Sequence, residues 1–556
     1  MLAQLRSDTL VVPTRTPSAG YALATGLLLL VGIGLRLFHY FYNRSLWTDE
    51  IYLNAGIVDL SFQELLQGKP LPYLQKAPLG YLLSSHLFVV LFGNSELALR
   101  LFSLLTGIAS LFLLVPVTRY FLRPFGALVA LALLALATPL IYHAVEAKPY
   151  GTDLMVTLLL LWLYGRYRYA TSWADLLRWG LGGSLAVWFS YPSIFVLAGM
   201  ALVVGGEYLL KRQGSALRRV SLPFSMWLVS FALSYFLYAK PGSEAGWLVF
   251  FFYKYDGYVP LQPVAGAVWL LKKAVVFFHT PLGLTWWDEL VENAYLRRFV
   301  QRMTLVPVLL AGAGMLYFWR ADKRYLVLLA GSLLLVVAAS ALHRYPFYER
   351  MVVFLAPFVI LLLAAGSEYL RHKSTFLRYA GYGLTVLLLA GALKNAVAQT
   401  LSPYLLSGYK MSYYRDALQF VRQHYRAGDG VYVYWNAAAG YTFYKAADAL
   451  PFSAVVDPDR RYELDNYPAY FARVDADLYS APNPKRVWVI YSGVDMNQGD
   501  YGGQPAWYYQ GHDFREGYGV EQLTKHLQQI GTVRQRYVPT DGNPNPDVRV
   551  LLLELR

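Results

Sequence analysis

Through residues 1–400 the chain alternates long apolar runs with short polar breaks rich in Arg and Lys, and beyond about residue 401 that pattern stops. Eleven runs are long enough to cross a bilayer as helices: 21–42, 97–118, 124–142, 150–168, 174–190, 193–210, 221–239, 303–319, 325–342, 351–370 and 379–400. Two further runs do not qualify. Residues 78–92 begin at Pro78, contain Ser84, Ser85 and His86, and are too short to cross, so they read as re-entrant or interfacial. Residues 263–281 are interrupted by Lys272-Lys273, which is costly at mid-bilayer, and read as lying on the surface. The first run follows a polar segment with Arg6 and Arg15, and no small-residue cleavage site comes after it, which predicts a retained helix. The tail from 401 is polar and Tyr-rich. It reads as a soluble α/β domain, with helices over 411–426 and 519–530 and strands at Val431–Trp435, Arg486–Tyr491 and Val548–Leu553. Stretches 495–518 and 539–547, rich in Pro, Gly and Asn, read as loops. The division is therefore 1–400, membrane, and 401–556, soluble.

Composition agrees: 56% of the 556 residues are hydrophobic and 15% charged, with a mean hydropathy of +0.35. No cysteine occurs, which excludes disulfides, thiolate metal sites and cysteine nucleophiles. The net charge of +14 calls for no nucleic-acid partner, because it resides wholly in the membrane part. Residues 1–400 hold 33 basic against 18 acidic residues, and 401–556 hold 16 against 17. With the N-terminus in the cytoplasm, the cytoplasmic loops collect 17 basic residues and five acids. Counting 78–92 as a span would put the later basic clusters on the wrong side. Eleven spans then leave the tail outside the cytoplasm, together with loops 43–96 and 240–302, the short 143–149 and 343–350, and the Tyr191-Pro192 turn.

Three constellations fall on that outer face. The first is Trp47-Thr48-Asp49-Glu50, where adjacent carboxylates point in different directions and can serve two tasks, one facing a reactant and one a structural partner. The second is Glu146-Ala147-Lys148-Pro149-Tyr150. Pro149 suits a first helical turn, so Lys148 sits at a helix N-terminus, where a cation is locally unfavourable unless an anion binds. The third is His343-Arg344-Tyr345-Pro346-Phe347-Tyr348-Glu349-Arg350, which repeats the pattern with a guanidinium suited to phosphate. Against these stand plainer readings: a solvated acidic loop, a snorkelling Lys148 paired with Glu146, and interfacial anchors at Arg344 and Arg350. Arg36 and Arg100 lie within spans and call for partners, and Glu96 with Arg100 forms a possible i,i+4 pair. His279, Trp286-Trp287 and Asp288-Glu289 could line an acceptor site or an aromatic belt.

The aromatic-x-Asp-Glu motif is followed by KAPLGYLLSSHLFVVLFGNSELALRLFSLLTG and then HAVEAKPYGTDLMVTLLLLWLY. Over about residues 40–210 this resembles the GT-C membrane glycosyltransferases, specifically the protein O-mannosyltransferase and aminoarabinose transferase relatives of bacteria. The resemblance implies a GT-C-like fold and a polyprenyl-phosphate-linked sugar transferred with inversion at the anomeric carbon. It implies Asp49 as catalytic base, with Glu50 completing the acidic pair. Lys148 resembles the basic residue after the third span, where Arg is commoner; the departure leaves a point charge in place of a bidentate fork. Arg350 fits the later carrier-phosphate cation.

The expected function is transfer of a sugar from the carrier to an acceptor hydroxyl of a glycan, lipid or protein, at the extracytoplasmic face of a bacterial inner membrane. Carrier phosphate is assigned to Lys148, Arg350, Arg344 and Tyr150, and an acceptor or sugar site to Glu146, His86, His279 and Tyr191. No cofactor is required, though a divalent cation could sit at Asp49 and Glu50. The competing classes are a transporter or flippase of lipid-linked saccharides, which would more naturally show paired repeats or charges deep in spans, and a structural subunit.

Overall fold

The computed structural model describes residues 18–240, 246–284, 303–406, 412–447, 450–480, 485–493, 505–512, 517–543 and 546–556. Trp286-Trp287-Asp288-Glu289 and the N-terminal Arg6 and Arg15 lie outside them. All eleven expected spans are helical. By length and hydropathy seven described helices can cross a membrane, or eight when a bent pair counts as one. Tyr150–Tyr167, Trp173–Phe189 and Leu305–Ala321 fall just outside that measure. Most residues of Tyr150–Tyr167 are buried by neighbouring helices, so it has no need of an apolar surface all round. The chain is a multi-pass membrane protein.

Three spans depart from simple rods; one of them, 221–239, ends in a π-helical turn, Tyr235–Ala239. The expected run 124–142 breaks into Pro124–Leu136 and Thr138–Ala144, bent by 60°. Pro139 lies in the first turn of the second piece, where its missing N–H costs nothing. The break leaves helix-end carbonyls in the protein interior. Arg36, fully buried in the first span, donates to one of them, Leu134 O, at 3.1 Å and to Gly32 O at 2.9 Å. That is the partner an intramembrane cation needs, at the negative end of a helix dipole. The expected run 351–370 opens with a 3-10 segment, Glu349–Leu355, and becomes α-helical only at Ala356. Pro357 falls in the first turn of that α-helix, where its missing N–H costs nothing. The helix it starts, Ala356–Arg371, is almost wholly buried. It meets Leu305–Ala321 at glycines: a Cβ on Gly314 or on Gly366 would lie 1.9 Å from a carbonyl of the other helix.

The two excluded runs form helices Leu79–Phe92 and Pro263–His279. In the second, Lys273 pairs with Asp256 at 3.4 Å and lies over the Trp269 ring.

Beyond Leu401 the tail builds one five-stranded sheet in the order β2-β1-β3-β5-β4. Its strands are β1 Gly430–Val433, β2 Val455–Val456, β3 Arg486–Ser492, β4 Gly531–Arg536 and β5 Val548–Leu555. β1 is parallel to β2 and β3, while β5 runs antiparallel to β3 and β4. β1 and β3 are buried almost throughout, as expected of strands covered on both faces. This domain does not hang free. Leu46, Ile51 and Leu53 of the first outer loop share a core with Tyr414, Tyr444, Trp488 and Leu552. Phe251, Phe252 and Tyr348 share another with Tyr432, Trp435 and Tyr508.

Candidate active site

The first helix, Ala19–Tyr42, stops at Asn43, whose φ of 49° is a left-handed cap conformation that asparagine tolerates well. The chain then runs extended to Trp47 and turns into the helix Thr48–Asp59. Glu50 reaches back so that its Oε2 accepts from the Trp47 N–H at 3.2 Å, half of a capping box. That fixes the helix start and hence the directions of two neighbouring carboxylates. About 100° of helical rotation separates them, and they meet different surroundings.

Glu50 points inward and is fully buried. Arg100 grips it from the helix Glu96–Phe121 through Nε at 3.1 Å and Nη2 at 2.9 Å. The Ala147 N–H adds a bond of 2.7 Å, and Arg44 Nη2 stands 3.8 Å away. Arg100 in turn donates to the carbonyls of Arg44 and Ser45. Glu50 therefore faces protein on every side, and the second carboxylate expected to share the chemistry is the keystone between the first loop and the 145–149 turn.

Asp49 points outward, its side chain 20% exposed. Lys148 Nζ lies 3.0 Å from Oδ1 and Arg350 Nη2 lies 3.1 Å from Oδ2. Lys148 is also held by Gln75, whose Oε1 accepts at 2.8 Å. Arg350 lies over the rings of Trp47, at 5.2 Å, and Tyr150, at 5.8 Å. Tyr345 steadies the 3-10 segment beneath it, donating to the Met351 carbonyl at 2.6 Å. Burial works to raise the Asp49 carboxyl, but Lys148 and Arg350 outweigh it, so the group titrates below the ordinary carboxylate range. Burial, aided by Arg350, pulls the Lys148 ammonium below its ordinary value despite Asp49.

The remaining candidates divide. Tyr150 is at the site, as a platform for Arg350. Glu146 is close but buried, accepting from the Trp47 indole at 3.2 Å and the Tyr142 hydroxyl at 3.2 Å, with His143 Nδ1 at 2.7 Å. It sets the ring on which Arg350 lies and presents nothing to an acceptor. Tyr191 donates to Ala77 O at 2.9 Å, anchoring the strand of chain that carries Gln75. His86 is committed to Ile57 O at 2.8 Å, at the far end of the helix that carries Asp49. His279 is exposed at the end of Pro263–His279, and Arg344 is exposed beyond Ala341, so neither is brought to Asp49. Glu96 does not pair with Arg100 but with Arg415 of the C-terminal domain, at 2.8 Å, because Glu50 has claimed Arg100. Nor does Lys148 pair with Glu146.

Gln75, Arg44 and His143 carry no marking pattern in the sequence. Among the described residues no group of three or more His, Asp and Glu could hold a metal ion. The donor set at Asp49 and Glu50 does not suit a divalent cation, since cations already face both Asp49 oxygens and N–H groups fill those of Glu50.

Residues 75–238 match the family described as dolichyl-phosphate-mannose-protein mannosyltransferase. Among solved structures, the chain is similar to the archaeal oligosaccharyltransferase AglB from Archaeoglobus fulgidus, solved with an inhibitory peptide and a dolichol-phosphate. Identity is 12% over 94% of this chain and 74% of that one, with a TM-score of 0.50. The fold is that of the GT-C membrane glycosyltransferases. ArnT from Cupriavidus metallidurans in the apo state aligns at 14% identity over 96% of this chain and 98% of that one, with a TM-score of 0.49. No curated protein sequence matches. The family match takes in Gln75, Lys148 and Tyr150 and leaves out Asp49 and Arg350, so the GT-C fold brings part of the site together from outside the matched segment.

Proposed function

We propose that this protein is an inverting glycosyltransferase that moves a sugar from a polyprenyl-phosphate carrier to an acceptor hydroxyl at the extracytoplasmic membrane face. One observation carries the reading: a partly exposed carboxylate, Asp49, is held between two cations, Lys148 and Arg350, that come from different helix starts. The family match and the dolichol-phosphate bound by AglB support a lipid-linked donor. Glu349 and Val352, on either side of Arg350 in the chain, line a cavity of about 270 Å3 together with Tyr255, Lys273, Val276, Phe277, Pro281, Phe347 and Tyr348.

A carrier phosphate competes with Asp49 for the two cations. As Lys148 and Arg350 turn to the phosphate, Asp49 loses the partners that hold its pKa down and becomes a better base. The acceptor oxygen attacks the anomeric carbon from the face opposite the phosphate and its proton passes to Asp49. The bond from carbon to the phosphate oxygen breaks, and the charge growing on the leaving phosphate falls to Lys148 and Arg350. None of these steps calls on a metal.

The test is transfer from a radiolabelled polyprenyl-phosphate sugar in membranes or nanodiscs. Asp49→Asn abolishes transfer while carrier binding persists; turnover by that variant refutes the assignment. Mass spectrometry of lipids co-purifying with the same variant names carrier and sugar.

A further inference from the structure

The loop that leads into Asp49 is held from two sides. From the membrane side, Arg100 donates to the carbonyls of Arg44 and Ser45. From the other side come three residues of the C-terminal domain, Tyr444, Arg415 and Asp416. The Leu46 N–H donates to the Tyr444 hydroxyl at 2.7 Å, and that hydroxyl donates to Glu96 Oε1 at 3.0 Å. Arg415 pairs with the same Glu96 oxygen at 2.8 Å and donates to the Asn43 carbonyl at 2.7 Å. Ser45 Oγ accepts from the Arg415 N–H at 3.2 Å and lies 3.2 Å from Asp416 Oδ2. Tyr444 is 2% exposed, so its two bonds are made without competition from water.

We infer that Tyr444 and Arg415 are positioning residues for Asp49, and that the C-terminal domain acts on the reaction by holding residues 43–47 in register. The inference rests on the reading of Asp49 given above. Three features carry it. The hold falls on backbone groups, Leu46 N–H and Asn43 C=O, which no change of nearby side chains could supply. It falls two and five residues before Thr48, where the helix carrying Asp49 begins, so a shift of the loop moves the start of that helix. Last, Glu96 joins the two clamps: it opens the helix whose next turn carries Arg100, so the domain and the membrane helix act on one segment. Neither Tyr444 nor Arg415 reaches the Asp49 carboxylate, and neither takes part in proton transfer.

Tyr444→Phe keeps the ring in the core and removes only the hydroxyl. In the full-length protein in nanodiscs it lowers kcat about five- to tenfold, the worth of one or two buried hydrogen bonds, and leaves the KM for the polyprenyl-phosphate sugar unchanged. Hydrogen–deuterium exchange speeds up in the 43–50 peptide and not in Tyr150–Tyr167. Arg415→Gln behaves alike, and Arg415→Lys, which keeps the charge toward Glu96, recovers part of the rate. Wild-type kcat and wild-type exchange in both Tyr444→Phe and Arg415→Gln overturn the proposal, as does a fall in kcat matched by a rise in KM with exchange increased throughout the chain. The exchange measurement needs no turnover, so it distinguishes the two failures. If wild-type protein transfers no sugar but the 43–50 peptide loosens, the assignment of function fails and the clamp stands. If Asp49→Asn is inactive and Tyr444→Phe is wild type in both readouts, the clamp alone fails.

Discussion

Replacing Glu50 with Gln changes a carboxylate for an amide of the same shape, and the geometry dictates how badly the amide fits. Each Glu50 oxygen accepts two N–H groups: Oε1 from Arg100 Nε and Ala147 N, Oε2 from Arg100 Nη2 and Trp47 N. Whichever way the amide is turned, its NH2 meets two donors and its oxygen keeps two. Two hydrogen bonds are lost at a fully buried position, each costing about 1–3 kcal/mol when a partner is left unsatisfied. Arg100 also loses its counter-ion in the interior, and breaking a buried pair from one side costs about 3–5 kcal/mol in total. That range is the estimate for Glu50→Gln, a large share of the roughly 5–15 kcal/mol by which folded domains are held. Thermal unfolding in detergent, scored by tryptophan fluorescence, measures it. Arg100→Gln is equally damaging, and Glu50→Gln with Arg100→Gln together costs less than the sum, with a coupling of about 2–3 kcal/mol. Activity falls as well, because the lost bonds reach Trp47 and Ala147, neighbours of Asp49 and Lys148. A Glu50→Gln protein that melts within about a degree of wild type, or a cycle with no coupling, refutes the keystone role.

Arg350→Lys keeps the charge but loses the planar guanidinium that lies over Trp47 and Tyr150. Carrier affinity should fall about tenfold, and unchanged binding to immobilised polyprenyl phosphate contradicts the carrier-site assignment. Because Asp49 titrates below its ordinary 3.8 and Lys148 below its ordinary 10.5, kcat/KM should hold level from about pH 3.8 upward until Lys148 loses its proton. It loses its acid limb only below about pH 3.8 and its alkaline limb before about pH 10.5; an acid limb near pH 6 contradicts it. The Asp49 contribution to stability has the matching sign, present above 3.8 and lost as pH falls through the lower folded value. Asp547, in the C-terminal domain, runs the other way. Burial pushes its carboxyl up to about 7, so its contribution is full below 3.8 and is lost as pH rises toward 7. Asp547→Asn, which keeps an acceptor for the Tyr413 N–H, should stabilise the protein by a few kcal/mol above pH 7 and change little near pH 4; a lower melting temperature at pH 8 refutes the placement.

The helical frame could be read from residue order because an apolar run of some twenty residues flanked by Arg and Lys has one stable arrangement in lipid. What could not be read is where a run yields to its interior. The break at Ala137 depends on a bend that Arg36, a hundred residues earlier, stabilises by donating to Leu134. The 3-10 turn at Arg350 comes just before a helix whose first turn holds Pro357, seven residues on. At the site, the cation-bearing positions were visible because Lys148 and Arg350 sit where a lone helix would not place a cation. Their convergence on Asp49 was expected through the resemblance to a known family, whereas the residues by themselves equally allowed Lys148 to pair with Glu146, two positions away, over Asp49, ninety-nine positions away. Arg344 and Arg350 lie in one eight-residue stretch of like composition, and only the turn at Glu349–Leu355 decides which of them faces the carboxylate. Gln75 and Tyr191 act through single hydrogen bonds, which leave no pattern in a sequence.

The division of labour between Asp49 and Glu50 is the step that composition can least supply. Both are carboxylates, adjacent, each facing two cations, and charge alone does not tell them apart. They differ in solvent access. Glu50 is sealed, its four bonds come from groups fixed by backbone or by Arg100, and no partner can leave without exposing a buried charge. Asp49 retains a fifth of its surface, and the two side chains on it end in flexible or ring-supported cations that can turn to a second anion without unfolding anything. A base must be able to exchange its partners; a keystone must not. The phase of one helix, set by the bond from the Trp47 N–H to Glu50, decides which carboxylate is which. Moving that helix start by one residue would rotate both by about 100° and leave neither in its place, so Trp47→Pro, which deletes the N–H, should cost activity and stability together. Loss of one without the other, measured by sugar transfer and thermal unfolding of the same preparation, would break the link between the helix start and the site.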